Sequence, residues 1–328
     1  MEEFKIDLAQ LESLKGKVVI VTGGSSGIGQ ATTQLLLSLN AHLITGDLNP
    51  PPATQLSHPN HTFLRTNVSN WDDLKALFAL AVQKHGHIDH VFANAGIGPK
   101  ADYLNASYDI HGELLEPERG VYEVMVRGMV NTSYLGVVYM QQAAAGTSTP
   151  AATSTQTAAR EEEEGRGGGE ATTQKQTSIV LTASASSFQR FSATDYTTAK
   201  HSVLGFMRGN VTNLNNLATS SPHAPRIRIN AIAPSWTSTG MVNEAQMAAL
   251  GIKCQSAEAV ALLVALLMVD ETRQGQMIYS SLGRFWEIEE GVLLKQVEGI
   301  VGEQGDDAVL EKMREMGRMT AEENASRA

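Results

Sequence analysis

Lys17-Val18-Val19-Ile20-Val21-Thr22-Gly23-Gly24-Ser25-Ser26-Gly27-Ile28-Gly29 decides the fold. The β-branched apolar run from Val18 to Val21 shows no polar alternation, so it predicts a strand covered on both faces, as in a parallel sheet. Gly23, Gly27 and Gly29 then open a helix expected over 28–40, whose Leu35, Leu36, Leu37 and Leu39 supply a surface to pack on the sheet. Glycine at these places allows a tight turn and lets backbone approach a pyrophosphate at the positive end of the helix.

Outward from that turn, strands and helices alternate. His42 to Gly46 reads as a strand closing at Asp47, Thr62 to Leu64 as a third, Trp71 to Lys84 as a helix and Ile88 to Ala93 as a fourth strand. Tyr122 to Gln142 predicts a long helix, Ser178 to Thr182 a strand, and Tyr196 to about Leu217 a helix. Arg228 to Ile232, Ala257 to Met268 and Gln276 to Ser280 read as strand, helix and strand. The order predicts an α/β fold with a single doubly wound Rossmann-type parallel sheet and helices on both faces.

With 42% hydrophobic and 18% charged residues the chain can build a sizeable core, and wholesale disorder is not expected. A net charge of −10 disfavours nucleic acid and anionic membrane as partners, because both need a basic face. No run reaches the roughly 18 to 20 apolar residues of a membrane span. Met1 to Lys17 lacks the apolar stretch of a secretory signal. Cys254 is the one cysteine, which precludes an intramolecular disulfide and suits a reducing compartment. A cytoplasmic protein is expected.

Residues 1–286 are expected to form the main domain, interrupted at about 144–176 by a low-complexity insertion. That segment is alanine, threonine, serine and glycine with a Glu161–Glu164 run, and nothing in it can form a core. Residues 287–328 are charged and helix-prone. The spacing of Leu293, Leu294, Val297, Ile300 and Val301 predicts an amphipathic helical extension, outside the sheet, docked on the body or on another subunit.

Asp47 ends the second of these strands, where a carboxylate can accept both ribose hydroxyls and repel a 2′-phosphate. No Lys or Arg directly follows it, so NAD is expected rather than NADP. Asn67-Val68 and Asn94-Ala95-Gly96 follow the third and fourth strands, the first placed for adenine and the second for the nicotinamide ribose. Ser25, Ser26, Ile28, Leu48, Pro234, Trp236 and Thr239 complete the expected cofactor contacts. Chemistry is expected from Ser184, Tyr196 and Lys200. Hydride removal from an alcohol carbon requires a base for the hydroxyl proton, and a free tyrosine, with a pKa near 10, is too weakly acidic. A lysine one helical turn away, with the positive nicotinamide ring, favours the phenolate.

Thr22-Gly23-x-x-x-Gly27-x-Gly29, Asn94-Ala95-Gly96, Ser184, Tyr196-x-x-x-Lys200 and Asn230-x-x-x-Pro234 occur in order. In this the chain resembles the short-chain dehydrogenase/reductase family from about Gly16 to Gly283, and most of all fungal members with a C-terminal extension. The resemblance implies that Lys200 bonds the cofactor ribose and that Ser184 holds the substrate oxygen. It implies an oxidoreductase for a small-to-medium, largely apolar alcohol or ketone, in secondary metabolism, assembled as a homodimer or homotetramer. Asp102 to Arg119 and Ser235 to Ala249 are expected to border the substrate pocket. Two departures stand out. The place where the family carries a proton-relay asparagine falls on Met125 by alignment on Gly128, or on Ser133 by alignment on Gly136, and neither is asparagine; Pro234-Ser235 replaces the usual Pro-Gly. Met125 keeps open two alternatives: a non-redox isomerisation, dehydration or cyclisation, and a cofactor-binding protein without turnover. His85, His87 and His90 cluster in sequence but precede a strand at the end of the sheet away from the site, so no metal is expected.

Overall fold

The computed structural model describes residues 2–144, 174–220, 224–242 and 244–301, together with 312, 315 and 316. Nearly all of the expected insertion and the end of the extension lie outside the described residues.

The described chain builds a nine-stranded sheet. In chain order its elements begin with β1 (Glu3–Phe4), a 3-10 turn at Leu8–Leu14, β2 (Val18–Thr22), α1 (Gly27–Ser38) and β3 (His42–Asp47). They continue through α2 (Ala53–Leu56), β4 (His61–Arg65), α3 (Trp71–His85), β5 (His90–Ala93) and α4 (Gly120–Tyr122). A π turn at Glu123–Arg127 leads into α5 (Gly128–Ala144), followed by β6 (Gln176–Thr182) and α6 (Thr194–Ser220). The chain then forms β7 (Arg226–Pro234), α7 (Glu244–Ala249), α8 (Ala257–Val269), β8 (Met277–Ser281) and β9 (Arg284–Glu287). A second π turn, Glu289–Leu293, opens α9 (Leu294–Val301).

The strand order is β1-β9-β8-β7-β6-β5-β2-β3-β4. From β8 to β4 the strands run parallel. The chain leaves β2 toward β3 and β4 on one side and returns to β5 on its other side. Their carboxyl ends at this reversal of order form the crevice where open α/β sheets bind ligands. Every residue of β2 is buried, as its unalternating sequence requires. One face of the sheet is covered by Leu74 and Leu77 of α3, Leu135 of α5 and Met207 of α6. The other is covered by Leu36 of α1, Leu263 and Leu266 of α8, and Leu11 and Leu14 of the 3-10 turn.

One expectation needs correction. The helix from Tyr122 is not regular: Met125 sits within the π turn, and Gly128 just after it passes so close to the β4–α3 loop that a Cβ would stand 2.8 Å from Val68 Cγ2. Tertiary packing, not the local sequence, fixes that extra residue. The expected doubly wound parallel sheet is present, and two edge strands that were not expected extend it: β9 pairs antiparallel with β8, and β1 with β9. The start of the extension lies against the body: Ile288 and Glu289 are buried, and Glu289 forms a two-point ion pair with Arg208 of α6. Leu293 packs on the core, Val297 is exposed, and the side chains of Ile300 and Val301 lie outside the described residues.

At the amino end of the sheet, His87 Nε2 meets Asp89 Oδ2 at 3.1 Å, His90 Nδ1 meets Ser178 Oγ at 2.9 Å, and the His85 ring packs on that of His42. Burial pushes the His90 pKa down to about 3, so the ring is neutral and structural.

Candidate active site

The glycine turn is dictated by contact. A Cβ on Gly29 would stand 2.0 Å from the Gly23 carbonyl oxygen, and one on Gly23, at φ +68°, 2.8 Å from Ala95 Cα. The turn thus folds against itself and against the end of β5, leaving Ser26, Gly27 and Ile28 at the start of α1 on the wall of a cavity. A cradle that rejects side chains and presents a helix N-terminus fits a dinucleotide pyrophosphate.

That cavity, about 650 Å³, opens over the carboxyl ends of β2, β5, β6 and β7. Gly23, Asn94, Gly96, Ser184, Tyr196, Lys200, Pro234, Trp236 and Thr239 line it, joining the expected catalytic residues to part of the expected cofactor set. Ser25, Gly29, Asp47, Leu48, Asn67, Val68 and Ala95 do not line it. Asp47 ends β3 next to the turn, accepting Ser25 N–H at 3.1 Å, and Leu48 beside it is half exposed. Asn67 bonds Ser69 through its side-chain oxygen, and Val68 is buried. These residues continue the same edge of the sheet past β2, so an extended ligand could run from Asp47 into the cavity.

Ser184 caps a 3-10 turn at Ala185–Ser187. Its Oγ accepts Ser186 N–H, Ser187 Oγ accepts the Ser184 N–H, and Ser187 Oγ donates to Lys200 O at 2.7 Å. This box fixes Ser184 against α6, with its hydroxyl facing the Tyr196 phenol. Burial raises the Tyr196 pKa, and the Ser184 bond opposes the rise. Lys200 is buried, and loss of solvation alone brings its pKa down to about 7. Its Nζ donates to Thr182 O at 2.7 Å and lies 5.7 Å from the Tyr196 ring centre. Burial of the phenol outweighs any pull from Lys200 in this arrangement. The ammonium is turned to a backbone carbonyl, and desolvation of the phenol wins.

Polar bonds tie this group to the glycine turn. Thr182 Oγ1 donates to Asn94 Oδ1 at 3.3 Å, and Asn94 Nδ2 donates to the carbonyls of Thr22 and Gly23 at 3.2 and 3.1 Å. Asn94 is thus a strut across β6, β5 and β2, a role its sequence position alone did not reveal. Met125 packs with Val121, Ala199 and the Tyr196 ring, so the wall beside the phenol is apolar.

The pocket rim differs from expectation. Ile97 to Lys100 line the cavity, whereas 102–119 projects outward, with Leu104 and Ile110 almost fully exposed. On the other side the lining runs from Ser235 to Val242, and α7 is outside it. Gln189, Arg190, Phe191 and Ala193, from the β6–α6 loop, also line the cavity. Their position between Ser184 and Tyr196 was the signal available in sequence. Arg65 was also missed: it is the register partner of Asp47 on the neighbouring β4.

Residues 17–148 match the family model for short chain dehydrogenase. The chain is 40% identical to the short-chain dehydrogenase/reductase ascJ of Acremonium egyptiacum, over 97% of each chain. It is 30% identical to the short-chain dehydrogenase/reductase prx4 of Penicillium roqueforti, over 85% of this chain and 72% of that one. Among solved structures it is similar to the 3-ketoacyl-(acyl-carrier-protein) reductase of Brucella melitensis complexed with NADH. There the TM-score is 0.62 and the identity 19%, covering 82% of this chain and 98% of the other. Fold, crevice and these relatives together define a Rossmann-type oxidoreductase. The chain belongs to the short-chain dehydrogenase/reductase family.

Proposed function

We propose that the protein is an NAD-dependent oxidoreductase that interconverts an alcohol and a ketone on a small-to-medium, largely apolar substrate, with Tyr196 as the acid/base. The observation that carries this reading is the convergence of Ser184, Tyr196, Lys200 and the glycine turn on one cavity. Ser26, Gly27 and Ile28 would hold the pyrophosphate, Asp47 the adenosine ribose, Asn94, Gly96 and Lys200 the second ribose, and Pro234, Trp236 and Thr239 the nicotinamide side. The carboxylate of Asp47 favours NAD, and the Brucella melitensis relative was crystallised with NADH. When bound, the nicotinamide supplies the hydride acceptor or donor.

The remaining work falls to the protein's own groups. In reduction the Tyr196 hydroxyl gives its proton to the substrate oxygen; in oxidation the phenolate takes one up. Ser184 lines the cavity with Tyr196, and its hydroxyl would donate to the same substrate oxygen. Lys200, with a pKa of about 7, carries a proton in a large fraction of molecules at neutral pH, and in that form, together with the positive nicotinamide ring, it would offset the burial that disfavours the phenolate. Met125 contributes wall and no proton.

The test is a panel of apolar secondary alcohols and ketones with NAD or NADH, following cofactor absorbance together with product mass. The expected result is a two-hydrogen mass change matched one to one by cofactor conversion. Products isomeric with substrate, or lighter by water, with no net cofactor change would establish the non-redox alternative instead. Cofactor binding without conversion across the panel would favour the non-catalytic one.

A further inference from the structure

The charge on the cavity wall has one sign. Lys100, Arg190 and Lys200 line it, and no aspartate or glutamate does among the described residues, although the chain has 35 acidic residues against 25 Lys and Arg. The acid nearest in sequence to the reacting tyrosine is withdrawn. Asp195 is fully buried; its Oδ2 accepts the backbone N–H groups of Lys100 at 2.8 Å and Ala101 at 2.9 Å, and its Oδ1 accepts Tyr196 N–H at 2.7 Å. Those bonds hold its carboxyl below the ordinary range despite burial, and spend it on backbone.

Bonds from the first turn of α6 hold the loops of both cations. Asp195 clamps the loop carrying Lys100 against the first turn of α6. On the other side of that turn Thr197 Oγ1 donates to Phe191 O at 3.1 Å, holding the loop that carries Arg190. Both cations are exposed, and neither forms an ion pair among the described residues. The wall next to Arg190 is aromatic: Phe191 meets Tyr196 edge-on at 6.2 Å and Trp236 at 5.9 Å. The pyrophosphate cradle lies elsewhere, on the turn after β2, so cofactor phosphates do not account for these charges.

We propose that the substrate has an apolar, ring-sized body ending in an anionic group of the carboxylate class. Arg190 and Lys100 hold that group at the mouth while the reacting oxygen meets Ser184 and Tyr196. The inference rests on the oxidoreductase reading above. It makes Arg190 and Lys100 specificity residues, with Arg190 able to grip a carboxylate at two points.

The test compares 2-naphthoate with 2-naphthamide, which share a body and differ in charge, binding by calorimetry to the full-length protein saturated with NADH. Naphthoate should bind about 5- to 20-fold more tightly at low salt, since each exposed charge pair contributes only a small factor. The preference should shrink as ionic strength rises. The Arg190→Gln/Lys100→Gln double variant should bind both probes alike, with naphthamide affinity retained, and Arg190→Lys should keep part of the preference. Equal binding of the two probes to the wild type, no binding of naphthoate, or a preference that survives the double variant would overturn the proposal. The NADH titration done first separates the two readings: failure to bind NADH strikes the oxidoreductase reading, while normal NADH binding without a charge preference strikes this one alone.

Discussion

Lys200 and Arg228 are the two Lys or Arg side chains buried among the described residues, and the sheet places them at opposite ends. Neither has a carboxylate in ion-pair contact within that set. Arg228, near the start of β7, donates to the carbonyls of Leu267, Arg273 and Met268 at 2.9, 3.3 and 2.7 Å, closing the C-terminal turn of α8. Burial brings its pKa down only to about 10, so it remains a cation. Lys200 has one carbonyl, a cavity in front of it and a pKa of about 7. Burial of charge does not by itself mark a functional site. Fixed acceptors turn a buried cation into a structural rivet, and a cavity with a single acceptor leaves it free to take a ligand.

Substituting both residues alike breaks or sharpens the contrast. Lys200→Met should lower turnover by about 100-fold or more, the scale of a lost acid/base aid. Its melting temperature should stay level or rise, because an ill-solvated ion is replaced by an apolar side chain. A thermal loss as large as that of the arginine variant would erase the distinction. Arg228→Met should do the opposite. Orphaning three buried carbonyls should cost about 3 to 5 kcal/mol, read from urea midpoints, while the folded protein keeps its NADH affinity. A cost below about 1 kcal/mol would mean that water replaces the guanidinium without penalty.

Asp47→Ala probes the open edge of the crevice. Removing the carboxylate deletes the ribose acceptor and the repulsion of a 2′-phosphate together, and leaves Arg65 beside the vacated position on β4. The ratio of NAD to NADP affinity should shift toward NADP by about 10-fold, the weight of one charge-assisted contact. Unchanged titrations with both cofactors would remove Asp47 from the site.

The smallest expected effect is on pH dependence. Lys200 has a folded pKa of about 7 against an ordinary value of 10.5. Between those values the unfolded chain binds a proton that the folded chain does not, so the Lys200 contribution makes stability rise with pH across that window. The difference between wild type and Lys200→Met in urea midpoint should narrow steadily from pH 7 to pH 10. A difference that is flat with pH would show that the buried amine titrates normally.

The parallel sheet was legible because unalternating β-branched runs such as Val18 to Val21 have few other places to go in a soluble fold. The proposed trio of Ser184, Tyr196 and Lys200 shares one cavity because its members follow one another from the end of β6 into α6. What escaped reading depends on neighbours distant in sequence. Arg65 meets Asp47 only across two strands. Asp195 gains its meaning from the backbone of Lys100 and Ala101. The π turn around Met125 accompanies the close passage of Gly128 over Val68. Strand β1 is two residues long, too short for any periodicity, and exists because β9 offers it an edge.

Turnover of Tyr196→Phe, measured beside its NADH affinity on a substrate that the wild type converts, tests the acid/base assignment most directly. Phenylalanine keeps the ring that packs on Met125 and Phe191 and deletes the phenol hydroxyl. The account predicts NADH affinity within about 3-fold of wild type, since less than 1 kcal/mol of binding is at stake, and turnover lower by about 100- to 10,000-fold. A variant that retains more than about a tenth of the wild-type rate, well above that range, would contradict it and remove Tyr196 from the chemistry.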